Sequence, residues 1–237
     1  MNIENKIAVI TGASKGLGKA CTEALISKNA IVYGIARSES TLIKMRKKLG
    51  DNFIPVVLDL TDEATLSEWI SDCFSKEKSP DILINNAGYG VFQKIENVTA
   101  QDWSTTMNVN LNATFLLTSK LVKLMKNNQS AKHIINIGSI LGQVGRPEGT
   151  AYCTTKFGIQ GFSEALSKEL RYDQIKVTCV NPGSIATDFF QTSGISSHNN
   201  MLQPNELANT IIHLLETPNN MLISDLTVRP LNPKKND

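Results

Sequence analysis

Short apolar runs recur along the chain, with amphipathic stretches between them. Ile7–Thr11 (Ile-Ala-Val-Ile-Thr) is β-branched and almost continuously apolar, the pattern of a strand buried on both faces of a parallel sheet. Comparable runs stand at Ala30–Ala36, Phe53–Leu58, Ile82–Ile84, His133–Ile137 and Leu222–Val228. The segments between them read as helices: Lys19–Asn29, Ser40–Leu49, a stretch capped by Thr61-Asp62-Glu63 and running to about Lys76, Asp102–Asn127, and Pro204–Glu216. Trp103, Met107, Leu111, Phe115, Thr118, Val122 and Met125 keep helical spacing and predict a single long helix over 102–127. The alternation predicts an α/β fold: a doubly wound parallel sheet with helices on both faces and right-handed crossovers. No linker, repeat or low-complexity segment breaks it, so residues 1–237 are expected to form a single domain.

The first strand runs straight into Gly12-Ala-Ser-Lys-Gly16-Leu-Gly18 and then a helix. A glycine turn that opens a helix makes an anion site, because the first N–H groups are unpaired and no Cβ keeps a pyrophosphate away. The spacing is Gly-x-x-x-Gly-x-Gly, not the usual Gly-x-Gly-x-x-Gly of dinucleotide sites. The second strand ends at Ala36-Arg37, where doubly wound folds meet the adenosine ribose, and no carboxylate follows before Glu39. Arg37, with Lys15 in the turn, suits a 2′-phosphate, which favours NADP(H) over NAD(H). The fourth strand ends in Asn85-Asn86-Ala87-Gly88, small residues and amides fit for the ligand edge of the sheet.

Tyr152 and Lys156 stand four apart and share one face of a helix. A nearby ammonium is expected to draw the phenol pKa down from about 10 towards neutrality. Ser139 sits at the tip of the fifth strand. Asn110 is a polar residue mid-helix, bound either to solvent or to a buried polar site.

Composition narrows the field. Hydrophobic residues make up 41% of 237 and charged ones 19%, with a net charge of +2, so a sizeable core is expected and a nucleic-acid partner is not. Lys44, Arg46, Lys47 and Lys48 read as the solvated side of a helix. Cys21, Cys73, Cys153 and Cys179 form no ligand pattern, which predicts neither a metal site nor a disulfide framework. No signal peptide or membrane span is legible, so a cytoplasmic protein without a membrane partner is expected.

Taken together, these motifs resemble the short-chain dehydrogenase/reductase family. They are Thr11-Gly-Ala-Ser-Lys-Gly-Leu-Gly18, Asn85-Asn-Ala-Gly88, Ser139 thirteen residues before Tyr152, Tyr-x-x-x-Lys, and Asn181-Pro-Gly183 with Ile185 and Thr187. The resemblance covers residues 7 to about 188 and is similar to 3-oxoacyl-carrier-protein reductases and general carbonyl reductases. It implies a three-layer αβα Rossmann-type domain that passes a hydride between a nicotinamide cofactor and a ketone, aldehyde or 3-oxoacyl thioester. By the same resemblance Tyr152 is the general acid, Ser139 holds the carbonyl oxygen, Lys156 tunes the tyrosine and binds ribose hydroxyls, and Asn110 anchors a relay water. Cofactor contacts would come from Gly12, Ser14, Lys15, Gly16, Leu17 and Gly18, then from Arg37, Asp59 and Leu60. Asn86, Ala87, Gly88, Pro182, Gly183, Ile185 and Thr187, with Tyr152 and Lys156, would complete them.

The substrate would meet Ser139, Ile140, Gln143, Tyr152 and Phe189, with Phe92, Val144 and Phe190 lining the pocket and Gln93 adding polarity. Residues 188–203 correspond to a substrate lid, on which His198 reads as a solvated loop residue. Gly138 replaces a serine common before the catalytic one, and Thr154-Thr155 replaces smaller residues. A Gly-rich C-terminal strand end is missing, while pairing through residues 102–127 and 152–172 would give a homodimer or homotetramer. Two rival functions stay open: a catalytically silent NADP-binding redox sensor, and an epimerase or dehydratase on the same fold.

Overall fold

The computed structural model describes residues 1–126, 130–189 and 198–232. Its strands are β1 (Ile7–Thr11), β2 (Ile31–Ala36), β3 (Phe53–Val57), β4 (Ile82–Asn85), β5 (Lys132–Ile137), β6 (Ile175–Pro182) and β7 (Asp225–Val228). They form one parallel sheet in the order β3-β2-β1-β4-β5-β6-β7, with Val9 in register with Tyr33 on one side and Leu83 on the other. The helices are α1 (Gly16–Ser27), α2 (Glu39–Leu49), α3 (Glu63–Cys73), α4 (Ala100–Met107), α5 (Ala113–Met125), α6 (Thr150–Leu170) and α7 (Pro204–Glu216). The doubly wound α/β architecture is the one the pattern predicts.

The period of two along each strand sorts side chains into two cores. Ala8, Ile10, Ile82 and Ile84 join α1, α2 and α7 on one face. Val9, Leu83 and Ile134 join α3, α5 and the end of α6 on the other. Both faces are covered, which is why these strands read as continuous apolar runs. Each fully buried leucine or isoleucine contributes about 2 kcal/mol. Strand order reverses between β1 and β4, so a crevice opens beyond their carboxyl ends.

Four elements differ from expectation. The helix over 102–127 is α4 and α5 joined by a π-helical turn, Asn108–Asn112, in which the Ala113 N–H reaches back five residues to the Asn108 carbonyl. The buried Asn110 amide lies inside that turn, tied to groups on other elements. β6 was not read from the sequence, because Lys176 interrupts its apolar run. That ammonium leaves the sheet edge and donates to Thr217 Oγ1 at 3.1 Å and to the Pro218 carbonyl at 2.6 Å, beyond the end of α7. α3 stops at Cys73 and β7 starts at Asp225, both shorter than predicted. The expected cap does form: Asp62 accepts from Ala64 N at 3.1 Å and Thr65 N at 3.2 Å.

Candidate active site

The carboxyl ends of the central strands open into a cavity of about 500 Å³. The glycine turn forms one wall, with Gly12 and Gly16 at φ 66° and 53°, a region L-residues with a Cβ enter only at a cost. Lys15, the N-cap of α1, makes no side-chain cap and the first turn holds no acid, so the helix end faces the cavity with its positive dipole unneutralised. Thr11 Oγ1 accepts from the Asn86 and Ala87 N–H groups, both at 2.9 Å, and Asn86 Nδ2 donates to the Thr11 carbonyl at 2.9 Å. These bonds lash Asn86-Ala87-Gly88 to the turn.

Ser14, Lys15 and Leu17 line the same wall, followed by Arg37, Asp59 and Leu60. Pro182, Gly183, Ile185 and Thr187 close the opposite side. Gly18 sits behind the lining. Among the described residues Arg37 and Lys15 form no ion pair. Asp59 Oδ1 accepts from Thr61 N at 2.9 Å and Thr61 Oγ1 at 2.7 Å. Those bonds, and then the Arg37 charge, hold its carboxyl below the usual range. A dinucleotide fits this arrangement: an uncapped helix end for the pyrophosphate, with cations at the tip of β2.

At the other end stand Tyr152 and Lys156, both buried on α6. Lys156 Nζ donates to the Ile137 carbonyl at 2.7 Å and lies 5.6 Å from the Tyr152 ring centre. Burial dominates both groups. It pushes the phenol well above its ordinary value, against the opposing pull of the Ser139 hydroxyl. It also pulls the Lys156 ammonium down to about 8. The expected lysine-driven fall of the tyrosine pKa is therefore absent; the lysine is itself desolvated and near half-neutral at mildly alkaline pH. The phenol is in its proton-bearing form.

Ser139 is held by its backbone, whose N–H donates to Asn181 Oδ1 at 3.1 Å, while its Oγ accepts from Leu141 N at 3.1 Å. The hydroxyl proton is left to donate. Asn110 Nδ2 donates to the Tyr89 carbonyl at 2.8 Å and Thr155 Oγ1 at 3.0 Å, and its Oδ1 accepts from Tyr89 N at 2.7 Å. Both amide protons are thus engaged, so a water anchored here would donate to an Asn110 oxygen. Asn110 braces the Tyr89 loop against α6.

Phe92 and Phe189 flank the Tyr152 ring, with centroids 5.2 and 5.7 Å away. Ile140 also lines the cavity. Gln143, expected in the substrate pocket, lies outside the lining: its side chain donates to Thr227 Oγ1 at 3.0 Å on β7. Gln93 is turned to Asp102 at 3.2 Å, and Val144 is exposed. Phe190 and residues 191–197, half of the expected lid, fall outside the described residues, while Leu202 near its end donates to the Ser184 carbonyl at 2.9 Å.

Sequence reasoning missed Val109, Leu141 and Arg146 in the lining, and Gly90 beside it. A Cβ at Gly90 would stand 2.6 Å from Phe189 and 3.2 Å from Tyr152, so only glycine lets the three rings meet. An isolated glycine after Asn-Ala-Gly was the one available signal. Among the described residues no group of three His, Cys, Asp or Glu could hold a metal.

The fold and site define a nucleotide-dependent oxidoreductase, and the comparisons give the family. The family model described as short chain dehydrogenase matches residues 6–196, and the chain belongs to that family. It is 36% identical over 186 residues to the 3-oxoacyl-[acyl-carrier-protein] reductase FabG of Haemophilus influenzae, covering 78% of this chain and 76% of that one. It is 30% identical over 235 residues to an uncharacterized oxidoreductase of Staphylococcus saprophyticus, covering 98% and 100%. Among solved structures, the closed form of a serine dehydrogenase complexed with NADP+ superposes with a TM-score of 0.88 at 26% identity over 94% of each chain. The 3-ketoacyl-(acyl-carrier-protein) reductase of Brucella melitensis complexed with NADH gives 0.88 at 27%, covering 97% and 98%. The protein is an oxidoreductase of CH–OH and C=O groups that uses a pyridine nucleotide.

Proposed function

We propose that the protein is an NADP(H)-dependent reductase of small carbonyl compounds. The observation that carries this reading is one cavity joining Arg37 and Lys15 at one end to Ser139, Tyr152 and Lys156 at the other. Arg37, Lys15 and the open N-terminus of α1 support a nucleotide bearing a 2′-phosphate. When bound, that nucleotide supplies the hydride. Ser139 donates to the carbonyl oxygen and orients it, and Tyr152, protonated because it is buried, delivers its proton to that oxygen. Lys156 holds the nucleotide's ribose side of the site, and its ammonium, drawn down to about 8, can return a proton to the phenolate. The protonated phenol is the form that reduction of a carbonyl group needs.

Turnover of NADPH against a panel of ketones and aldehydes tests the reading. Tyr152→Phe should lower kcat by about 10²–10⁴ and leave NADPH binding intact. NADPH binding with no wild-type turnover would favour the silent sensor, and product formed without net NADPH loss the epimerase or dehydratase. The protein is further read as cytoplasmic, with its four cysteines unpaired. Trp103, Phe115 and Phe157, exposed at 40%, 53% and 47% on α4, α5 and α6, support self-association through that face. Phe115→Glu with Phe157→Glu should shift the mass in light scattering to that of one chain.

A further inference from the structure

The substrate end of the cavity is walled by Phe92, Val109, Ile140, Leu141 and Phe189, and one arginine joins them. The Arg146 guanidinium lies over the Phe92 ring with Cζ 5.2 Å from its centre, and Phe92 is 5.2 Å from the Tyr152 ring. Cζ is therefore no more than about 10 Å from the centre of the Tyr152 ring. Asp188, next to Phe189, also lines the cavity, yet among the described residues Arg146 pairs with no carboxylate. The other cations of the cavity are committed elsewhere: Lys15 and Arg37 at the far end, Lys156 on the Ile137 carbonyl.

The backbone fixes this arginine. Gly149 N donates to the Arg146 carbonyl at 3.1 Å, Pro147 follows, and Glu148 takes φ 63°, which makes Arg146–Gly149 a type II turn. Glutamate in a left-handed conformation costs about 1 kcal/mol, where glycine would cost little. The turn leads directly into α6, since Gly149 is its N-cap. The turn thus sets where the Arg146 backbone stands, and its side chain places the guanidinium carbon 5.2 Å from the Phe92 ring centre.

We propose that Arg146 is a specificity residue that reads an anionic group, and that the substrate is a small oxo acid whose carboxylate lies a few carbons from the reacting carbonyl. The proposal deepens the reductase reading and rests on it. A guanidinium held over an aromatic ring at the rim of the cavity is suited to bidentate binding of a carboxylate. A neutral ketone or thioester offers it no such partner.

The test is turnover of 4-oxopentanoate and its methyl ester with NADPH by wild type, Arg146→Gln and Arg146→Lys. Wild type should prefer the acid. Arg146→Gln should raise KM for the acid about 10- to 100-fold with little change in kcat and change kcat/KM for the ester far less, and Arg146→Lys should recover part of the loss. Equal treatment of acid and ester by wild type, or equal loss on both in Arg146→Gln, overturns the proposal and leaves the reductase reading standing. Calorimetric binding of pentanoate and pentanamide to the NADP+-loaded enzyme gives a readout free of turnover. Pentanoate preferred in wild type but not in Arg146→Gln supports the proposal even if neither ketone reacts; equal binding of the two in wild type overturns it. Failure to reduce any carbonyl compound counts against the reductase reading alone.

Discussion

Lys156 offers a direct measure of what the active site costs the fold. Its ammonium is buried, with the Ile137 carbonyl as hydrogen-bond partner and, among the described residues, no carboxylate paired with it, and its pKa falls from 10.5 to about 8. Each unit is about 1.4 kcal/mol, so keeping this lysine charged destabilises the native state by about 3 kcal/mol. The sign follows from proton counting. Below the folded value of about 8 both states are protonated and the full cost is present; between 8 and 10.5 the unfolded chain binds more protons, and stability rises with pH. At pH 10 the cost has shrunk to about 1 kcal/mol.

Lys156→Met removes the charge at similar volume and loses one hydrogen bond worth about 1 kcal/mol. The variant should therefore be inactive yet more stable than wild type at pH 7 by about 2 kcal/mol, roughly 4–8 °C in Tm for a chain of this size. Urea unfolding of both proteins at pH 7, 8.5 and 10 checks this, and the advantage should vanish by pH 10. A variant that is less stable than wild type at pH 7, or a gap that does not change with pH, would refute the reasoning.

Other perturbations probe different parts. Arg37→Asp should shift the NADPH/NADH ratio of kcat/KM towards NADH by tenfold or more; an unchanged ratio removes Arg37 from the 2′-phosphate site. Gly138→Ser, which restores the serine common in the family, would press its Cβ on Asn181 Oδ1, the acceptor that holds the Ser139 N–H. It should lower stability by about 1–3 kcal/mol and kcat with it, read by Tm and by turnover. His133 is buried on β5, where Thr178 gives its hydroxyl proton to the Ile223 carbonyl at 2.6 Å and so must accept from His133 Nε2 at 2.8 Å, leaving Nδ1 bare. Burial, then the Lys176 and N-terminal charges, pull this histidine down to about 3. The unfolded chain takes up the proton from about pH 6.5, so wild type should lose about 2 kcal/mol between pH 7 and pH 5 that His133→Phe does not lose.

What the sequence shows of this fold and what it hides have separate physical causes. β1 and β4 are legible because both faces of each are covered, and an unbroken apolar run has no other use at that length. β6 is covered as well, but Lys176 escapes along the sheet edge to the end of α7, and the run is broken where the side chain has somewhere polar to go. The π-helical turn is invisible for a different reason. Asn110 is bonded to Tyr89 and Thr155, 21 and 45 positions away, and no local pattern encodes a partner that distant.

The same division runs through the candidate site. Tyr152, Lys156 and Ser139 announce themselves by spacing, because α6 and the tip of β5 set their geometry locally. Their proton affinities do not, because the i, i+4 rule predicts proximity of the ammonium but not the desolvation that overrides it. In a site this buried, desolvation keeps the phenol neutral. On the proposed reading the lysine serves binding and proton return, at a cost the fold bears in stability. Arg146 lies outside both rules. It sits in an exposed loop with no periodicity, and only the turn through Pro147 and Glu148, together with the Phe92 ring beneath it, makes that arginine part of the site. On the proposed reading specificity lies in loop geometry and chemistry in helix spacing, so a variant of Arg146 should change which carbonyl compound is chosen without changing how it is reduced.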